Sequence, residues 1–171
     1  GYTERYYNIT TNSSGAMTSC NCEYRDTQDD FSGTETLTMR YDSGNRLLEL
    51  TATEEETDEG IVYSYRTTFA FTWNGNDITR IVVTDFESEG DYIEDEFVQE
   101  LTYEYGSNPE TNNGIVYAGF VIDLDFMQYA GLFGRTTAHI PVSMAETTTH
   151  NSTPREYTVS VDKDGQGRST A

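Results

Sequence analysis

The chain is short of positive charge. Ten basic residues stand against thirty acidic ones, a formal net charge of -20 over 171 residues. That balance repels a phosphate backbone and anionic headgroups alike, so nucleic acid is not an expected partner. No apolar run approaches the roughly 20 residues that a membrane-spanning helix needs. The first residues hold neither a methionine nor an apolar signal core, and the expected reading is a mature chain from which an export signal or lipid anchor has been removed. No G-x-S-x-G elbow, H-E-x-x-H, phosphate loop or dinucleotide fingerprint is present. The two histidines, His139 and His150, fall in stretches that read as loops. No cofactor is expected, and the chain is not expected to be an enzyme.

What is present is the composition of a pleated sheet. Thirteen tyrosines, abundant threonine and only three prolines suit half-buried strands and not a disordered acidic tail. The length suits one domain over residues 1–171. From Ile61 to Trp73 apolar or aromatic residues, with Thr67 among them, occupy the odd positions, while Ser64, Arg66, Thr68 and Thr72 lie between them. At about 3.3 Å per residue such a strand runs ~40 Å, long enough that its sheet must twist or curl. Further strands are expected at 3–9, 16–24, 35–42, 46–54, 77–86, 96–105, 114–122 and 156–162. The expected fold is all-β: a strongly curved antiparallel meander, or partly open barrel, of about eight to ten strands.

A hairpin unit recurs within this pattern. Thr36–Leu50 and Thr68–Ile81 both read aromatic, Gly/Asn turn, aliphatic, with Tyr41 and Trp73 in matching places. A third copy begins at Glu156 and turns at Asp162–Gly165, and a looser one runs from Leu101 to Tyr105 and resumes at Asn113–Tyr117. Units that cannot bury their own apolar face point to a sheet built by stacking hairpins. One segment departs from this pattern. Asp123 as N-cap, Phe126, Ala130 and Phe133 at helical spacing and Gly134 as a stop predict a short helix near 124–133. The stretch from Arg135 through Pro141 to the threonine run ending at Thr153 reads as an irregular crossing over an open sheet.

The chemistry-bearing residues are few. Aromatic rings repeated along strand faces suit a sugar or apolar ligand, which makes Tyr63, Tyr65, Trp73, Tyr103 and Tyr105 candidate ligand-binding residues. The competing role is core, strongest for Phe69, Phe71 and Trp73. Asp162 and Asp164, two residues apart before Gly165, are candidate calcium ligands, set against an ordinary Asp-Gly turn. The acidic runs Glu54–Glu59 and Asp85–Glu96 read as solvated hairpin tips, with calcium as the rival. Asp123 and Asp125 could serve a glycan hydrolase only if they face one cleft. Cys20 and Cys22 on one strand share a face about 7 Å apart, too far for an unstrained disulfide, and read as packed thiols, with a strained redox pair or a soft-metal site as the rivals. Chance accounts for the sequons at Asn8, Asn12 and Asn151 in a chain rich in Thr and Ser.

The units Tyr41–Leu47 and Trp73–Ile81, with Ala130–Pro141 and Tyr157–Gly165, resemble exported lipoproteins of Bacteroides-type gut bacteria. That group is of unknown function and has a porin-like, strongly curved β fold. The resemblance covers most of residues 36–165 and carries over no catalytic residue. It implies a periplasmic or outer-membrane surface location, with membrane contact only through a lipid anchor on a removed N-terminal cysteine; Cys20 and Cys22 follow no apolar signal core. The expected role is a non-catalytic binding module for a glycan, an apolar small molecule or another protein. The alternatives are a carboxylate-dependent glycan hydrolase and a calcium-stabilised structural protein.

Overall fold

A computed structural model describes residues 2–26, 31–58, 61–89, 92–93, 96–107, 111 and 132–160. The strands are β1 (Tyr2–Thr11), β2 (Met17–Asp26), β3 (Phe31–Tyr41), β4 (Leu47–Asp58), β5 (Ile61–Asn74), β6 (Asp77–Glu89), β7 (Tyr92–Ile93), β8 (Phe97–Glu104), β9 (Ser143–Thr148) and β10 (Asn151–Thr158). They form one antiparallel meander in the order β1-β2-β3-β4-β5-β6-β8-β9-β10, with the short β7 also against β6. β1 and β10 do not pair, so among the described residues the sheet is not closed into a barrel.

Side-chain alternation gives the sheet one apolar face. Leu37, Met39, Leu50, Phe69, Phe71, Ile81, Val83 and Leu101 are buried there, while Thr38, Arg40, Arg66, Thr72, Arg80 and Thr102 on the other face are exposed. A single core cluster runs from Met17 on β2 to Leu101 and Tyr103 on β8, with Met144 of β9 packed against it. A sheet that must cover its own apolar side does so by curling around it.

The turns between the strands carry contacts that fasten successive hairpins. Asp42 Oδ1 accepts from the backbone N–H groups of Gly44 (2.8 Å) and Arg46 (3.0 Å), and Asn45 takes a left-handed φ of 61°. The β1–β2 turn repeats this atom for atom: Asn12 Oδ1 accepts from Ser14 (2.9 Å) and Ala16 (3.1 Å), and Gly15 has φ 82°. The β1–β2 and β3–β4 turns thus share one geometry, although Thr11 precedes the first where Tyr41 precedes the second. After each turn comes a buried residue, Met17, Leu47 or Ile78, and then a break in register. At those bulges the ladder is interrupted and a carbonyl can serve another donor. The aromatic of the next hairpin takes it: Tyr41 OH donates to Met17 O (2.8 Å), Trp73 Nε1–H to Leu47 O (2.8 Å), and Tyr105 OH to Ile78 O (2.7 Å).

A second fastening crosses all the turns. Residues 132–142 run over the turn ends of the sheet as a strap. Leu132 O accepts from Met17 N (2.7 Å), Arg135 N donates to Asn45 O (2.9 Å), Ala138 N to Asn76 O (2.9 Å), and Val142 N to Glu104 O (2.8 Å). Successive hairpins lie two strands apart, roughly 9.6 Å, which is the reach of about three extended residues. Gly134, with φ 71°, is required here, since a Cβ would sit 2.6 Å from Asn45 O. Asp77 clamps the middle of the strap, Oδ1 accepting from Thr137 Oγ1 (3.1 Å) and His139 N (2.9 Å), and Oδ2 lying 2.8 Å from His139 Nδ1. Phe133 and Ile140 of the strap are buried.

Two expectations change. The crossing ends at Val142, and the threonine-rich stretch after it is not irregular: β9 and β10 form a hairpin on the free edge of β8. Threonine runs resemble loops by composition, but β-branched residues pair readily once an edge is offered. Of the strand expected over 156–162, residues 156–158 are the end of β10, residues 159–160 lie beyond it, and 161–162 lie outside the described residues. The strand at 114–122 and the turn at 162–165 lie outside the described residues, as does the helix near 124–133 except for Leu132 and Phe133, which are in a turn.

Removing a fastening hydroxyl leaves a half-buried carbonyl without its donor. Tyr41→Phe and Tyr105→Phe are each expected to lower stability by about 1 kcal/mol. Because β3 and β8 are several strands apart, the double variant should lose the sum. Urea unfolding midpoints measure this, and unchanged midpoints would show the contacts to be idle.

Candidate functional site: the groove between β8 and β10

The core face changes character where the sheet reaches β9. In register, Leu101 of β8 faces Glu146 of β9, which faces Arg155 of β10; one row over, Tyr103 faces Met144, which faces Tyr157. An acid therefore stands on the face that β8 continues with Leu101 and Tyr103. Beside it is a cavity of about 460 Å³ lined by Gln99, Leu101, Met144, Glu146, Tyr157, Thr158, Val159 and Ser160. One wall exists because Val159 N donates to Val142 O (3.0 Å), which continues the β9–β10 ladder one rung beyond Thr158 to the end of the strap.

The acid is held in place by its neighbours. Tyr157 OH donates to Glu146 Oε2 (2.7 Å) and Gln99 Nε2 to Oε1 (2.8 Å). The Tyr157 hydroxyl first, then the Gln99 amide, holds the Glu146 carboxyl below the usual glutamate range, and Arg155 adds a smaller pull in the same direction. The groove thus offers a fixed anion, an amide, a phenol and hydroxyls over an apolar floor of Leu101 and Met144. Such a mixture, few polar groups on a largely apolar concavity, is characteristic of small-molecule sites.

The aromatic candidates do not converge on this groove. Tyr63 and Tyr65 lie half-buried toward the other end of the core face, across the ladder from Glu89 and Glu87, and Tyr63 OH donates to Glu89 Oε1 (3.4 Å). Trp73 and Tyr105 have their polar atoms on backbone carbonyls at the strapped end, and Trp73 also has the Arg46 guanidinium 5.9 Å over its ring. Tyr103 is 8% exposed, and its hydroxyl is buried without a hydrogen-bond partner. Asp162, Asp164, Asp123 and Asp125 lie outside the described residues. Among the described residues no group of three His, Cys, Asp or Glu side chains is placed to hold a metal. Cys20 and Cys22 are free and buried on one face, and burial pushes the Cys20 thiol up to about 11. His150 packs its ring 5.7 Å from that of Phe97. Glu146 and Gln99 were not singled out by the sequence. Period-two alternation through Met144, Glu146 and Thr148 was the available signal, masked by the threonines around it.

The end opposite the strap is acidic. The described residues at that end of β2–β8, namely 25–26, 54–58, 85–89 and 96, hold one, four, three and one acids, with Arg25 as the one base among them. Within this half Glu35 faces Glu54 across β3–β4, and Tyr24 folds over Gly33.

No protein-family model matches the chain, and no curated protein is similar to it. Among solved structures, the chain is similar to a porin-like protein from Bacteroides uniformis ATCC 8492, at 13% identity and a TM-score of 0.33 over 95% of this chain and 78% of that one. The antiparallel architecture rests on the strand pairing of this chain itself.

Two outcomes follow from these side chains. Burial first, then the Glu4 charge, raises the Glu35 carboxyl above its ordinary value. A raised acid stabilises the fold when protonated, and that contribution is lost as pH rises from the unfolded glutamate value through the folded one. Glu35→Gln should therefore stabilise the protein at pH 7 by about 0.5 kcal/mol, the scale of relieved cross-strand repulsion. The gain should vanish below the ordinary glutamate range, and equal melting temperatures of variant and parent at pH 7 would refute it. Tyr103→Phe removes a buried hydroxyl that has no partner and should be neutral or stabilising by up to about 1 kcal/mol; a clear loss in urea unfolding would show that the hydroxyl is satisfied in solution.

Proposed function

We propose that the protein is a non-catalytic binding module whose ligand site is the groove between β8 and β10. The observation that carries this reading is the convergence of Glu146, Gln99 and Tyr157, mutually hydrogen-bonded, on one cavity of about 460 Å³. The volume falls within the range of about 300–1,000 Å³ usual for ligand pockets. The His139–Asp77 pair, the other constellation with the residue types of acid–base chemistry, is engaged in clamping the strap. The aromatic positions Tyr63 and Tyr65, with Trp73, Tyr103 and Tyr105 behind them, belong in this reading to the scaffold and its far end. Asp162 and Asp164 follow β10 in sequence and keep their candidacy as calcium ligands. Export to the periplasm or the outer-membrane surface through a lipid anchor is part of the same proposal, supported by the resemblance of the Tyr41–Leu47, Trp73–Ile81 and Ala130–Pro141 units.

The test is a titration of the ¹⁵N-labelled protein with a set of small polar and apolar fragments. Shifts are expected to concentrate on Gln99, Leu101, Met144, Glu146 and residues 157–160, without chemical change of the fragment, and to disappear in Val159→Trp, which fills the groove. Shifts confined to Tyr63 and Tyr65 would move the site to the acidic end. Turnover of a fragment would overturn the non-catalytic reading.

A further inference from the structure

Resting on that reading of the groove, we propose that its ligand is a neutral sugar ring. Glu146 already takes one hydrogen bond on each oxygen, from Gln99 and Tyr157, which fixes the plane of the carboxylate and leaves further acceptor sites on both oxygens. A rigid pair of acceptors beside the Thr158 and Ser160 hydroxyls matches neighbouring hydroxyls on a ring. Charge narrows the class. An anionic ligand meets the Glu146 carboxylate and a chain of net charge -20. A cation meets Arg155, directly opposite Glu146 in the β9–β10 register. A wholly apolar ligand would strip water from a charged group and return no hydrogen bond to it. A neutral polyol with a C–H face satisfies all of these, its hydroxyls toward Glu146 and its apolar face toward Leu101, Met144, Val159 and the ring of Tyr157. The cavity, about 460 Å³, is at the small end of ligand pockets, which suits a sugar unit or two better than a long polymer segment.

The experiment titrates the ¹⁵N-labelled protein with methyl glycosides of glucose, galactose and mannose, and in parallel with methyl glucuronide, hexylamine and an anilinonaphthalene sulfonate dye. At least one neutral glycoside is expected to shift the groove resonances saturably. Its affinity should fall roughly tenfold in Tyr157→Ala and in Glu146→Gln, the loss that goes with removing a stacking ring or a fixed acceptor. Tyr157→Phe keeps the ring and removes the donor to Glu146; it should weaken binding less, and it carries the test if the alanine variant does not fold. Groove shifts from the amine, the glucuronide or the dye with none from any neutral glycoside would overturn the sugar and leave the groove as a ligand site. Groove resonances unmoved by every probe would overturn both. A glycoside whose affinity is unchanged in all three variants binds elsewhere and equally refutes the proposal.

Discussion

A sheet with one apolar face has to cover that face, and here the chain covers it with itself. Everything else depends on how the covering is held. Curling brings the apolar side chains of β2 through β8 into one cluster, but a curled meander is joined only by ladders between neighbours, which resist shear poorly at their ends. The strap over residues 132–142 and the three aromatic fastenings act at those ends. They tie each hairpin to the one before it and all of them to a common crosspiece. Each contact alone contributes on the order of 1 kcal/mol; repeated along one end of the sheet, they hold that end together.

The molecule has two unlike ends. The strapped end is densely hydrogen-bonded, with Thr137 of the strap itself buried at 2% exposure. The far end carries the acidic strand ends and the Glu35–Glu54 pair. The β8–β10 groove lies beside the strapped end, where the core face runs out and Val159 extends the last hairpin's ladder to Val142. Its acid is acceptable on an otherwise apolar face because it has donors on both oxygens and Arg155 across the ladder.

Much of the scaffold was legible because it is written locally. The alternation from Ile61 to Trp73 is β5, the turns at Gly44–Asn45 and Asn74–Asp77 are where they were expected, and the meander follows from short connections. The role of the turn-proximal aromatics was not legible. Tyr41, Trp73 and Tyr105 look like core or ligand aromatics until register shows that each ends beside a bulge carbonyl of the preceding hairpin. The likeness of the β1–β2 and β3–β4 turns was missed because Asn12 and Thr11 differ in type from Asp42 and Tyr41, although Asn12 makes the same turn bonds as Asp42. The groove was least legible. Gln99 and Glu146 are 47 residues apart, and only the pairing of β8 with β9, after a long connection, brings them together.

The strap has a consequence for the size of the sheet. It advances about three residues for every hairpin it crosses, from Leu132 to Arg135 to Ala138 and on to Val142. The hairpin unit itself contains nothing that limits how many copies can be stacked, since each fastens only to its predecessor. The crosspiece does limit them, because its length and the hairpin count must agree. It works as a ruler, and a relative with one more hairpin would need about three more strap residues to reach across it.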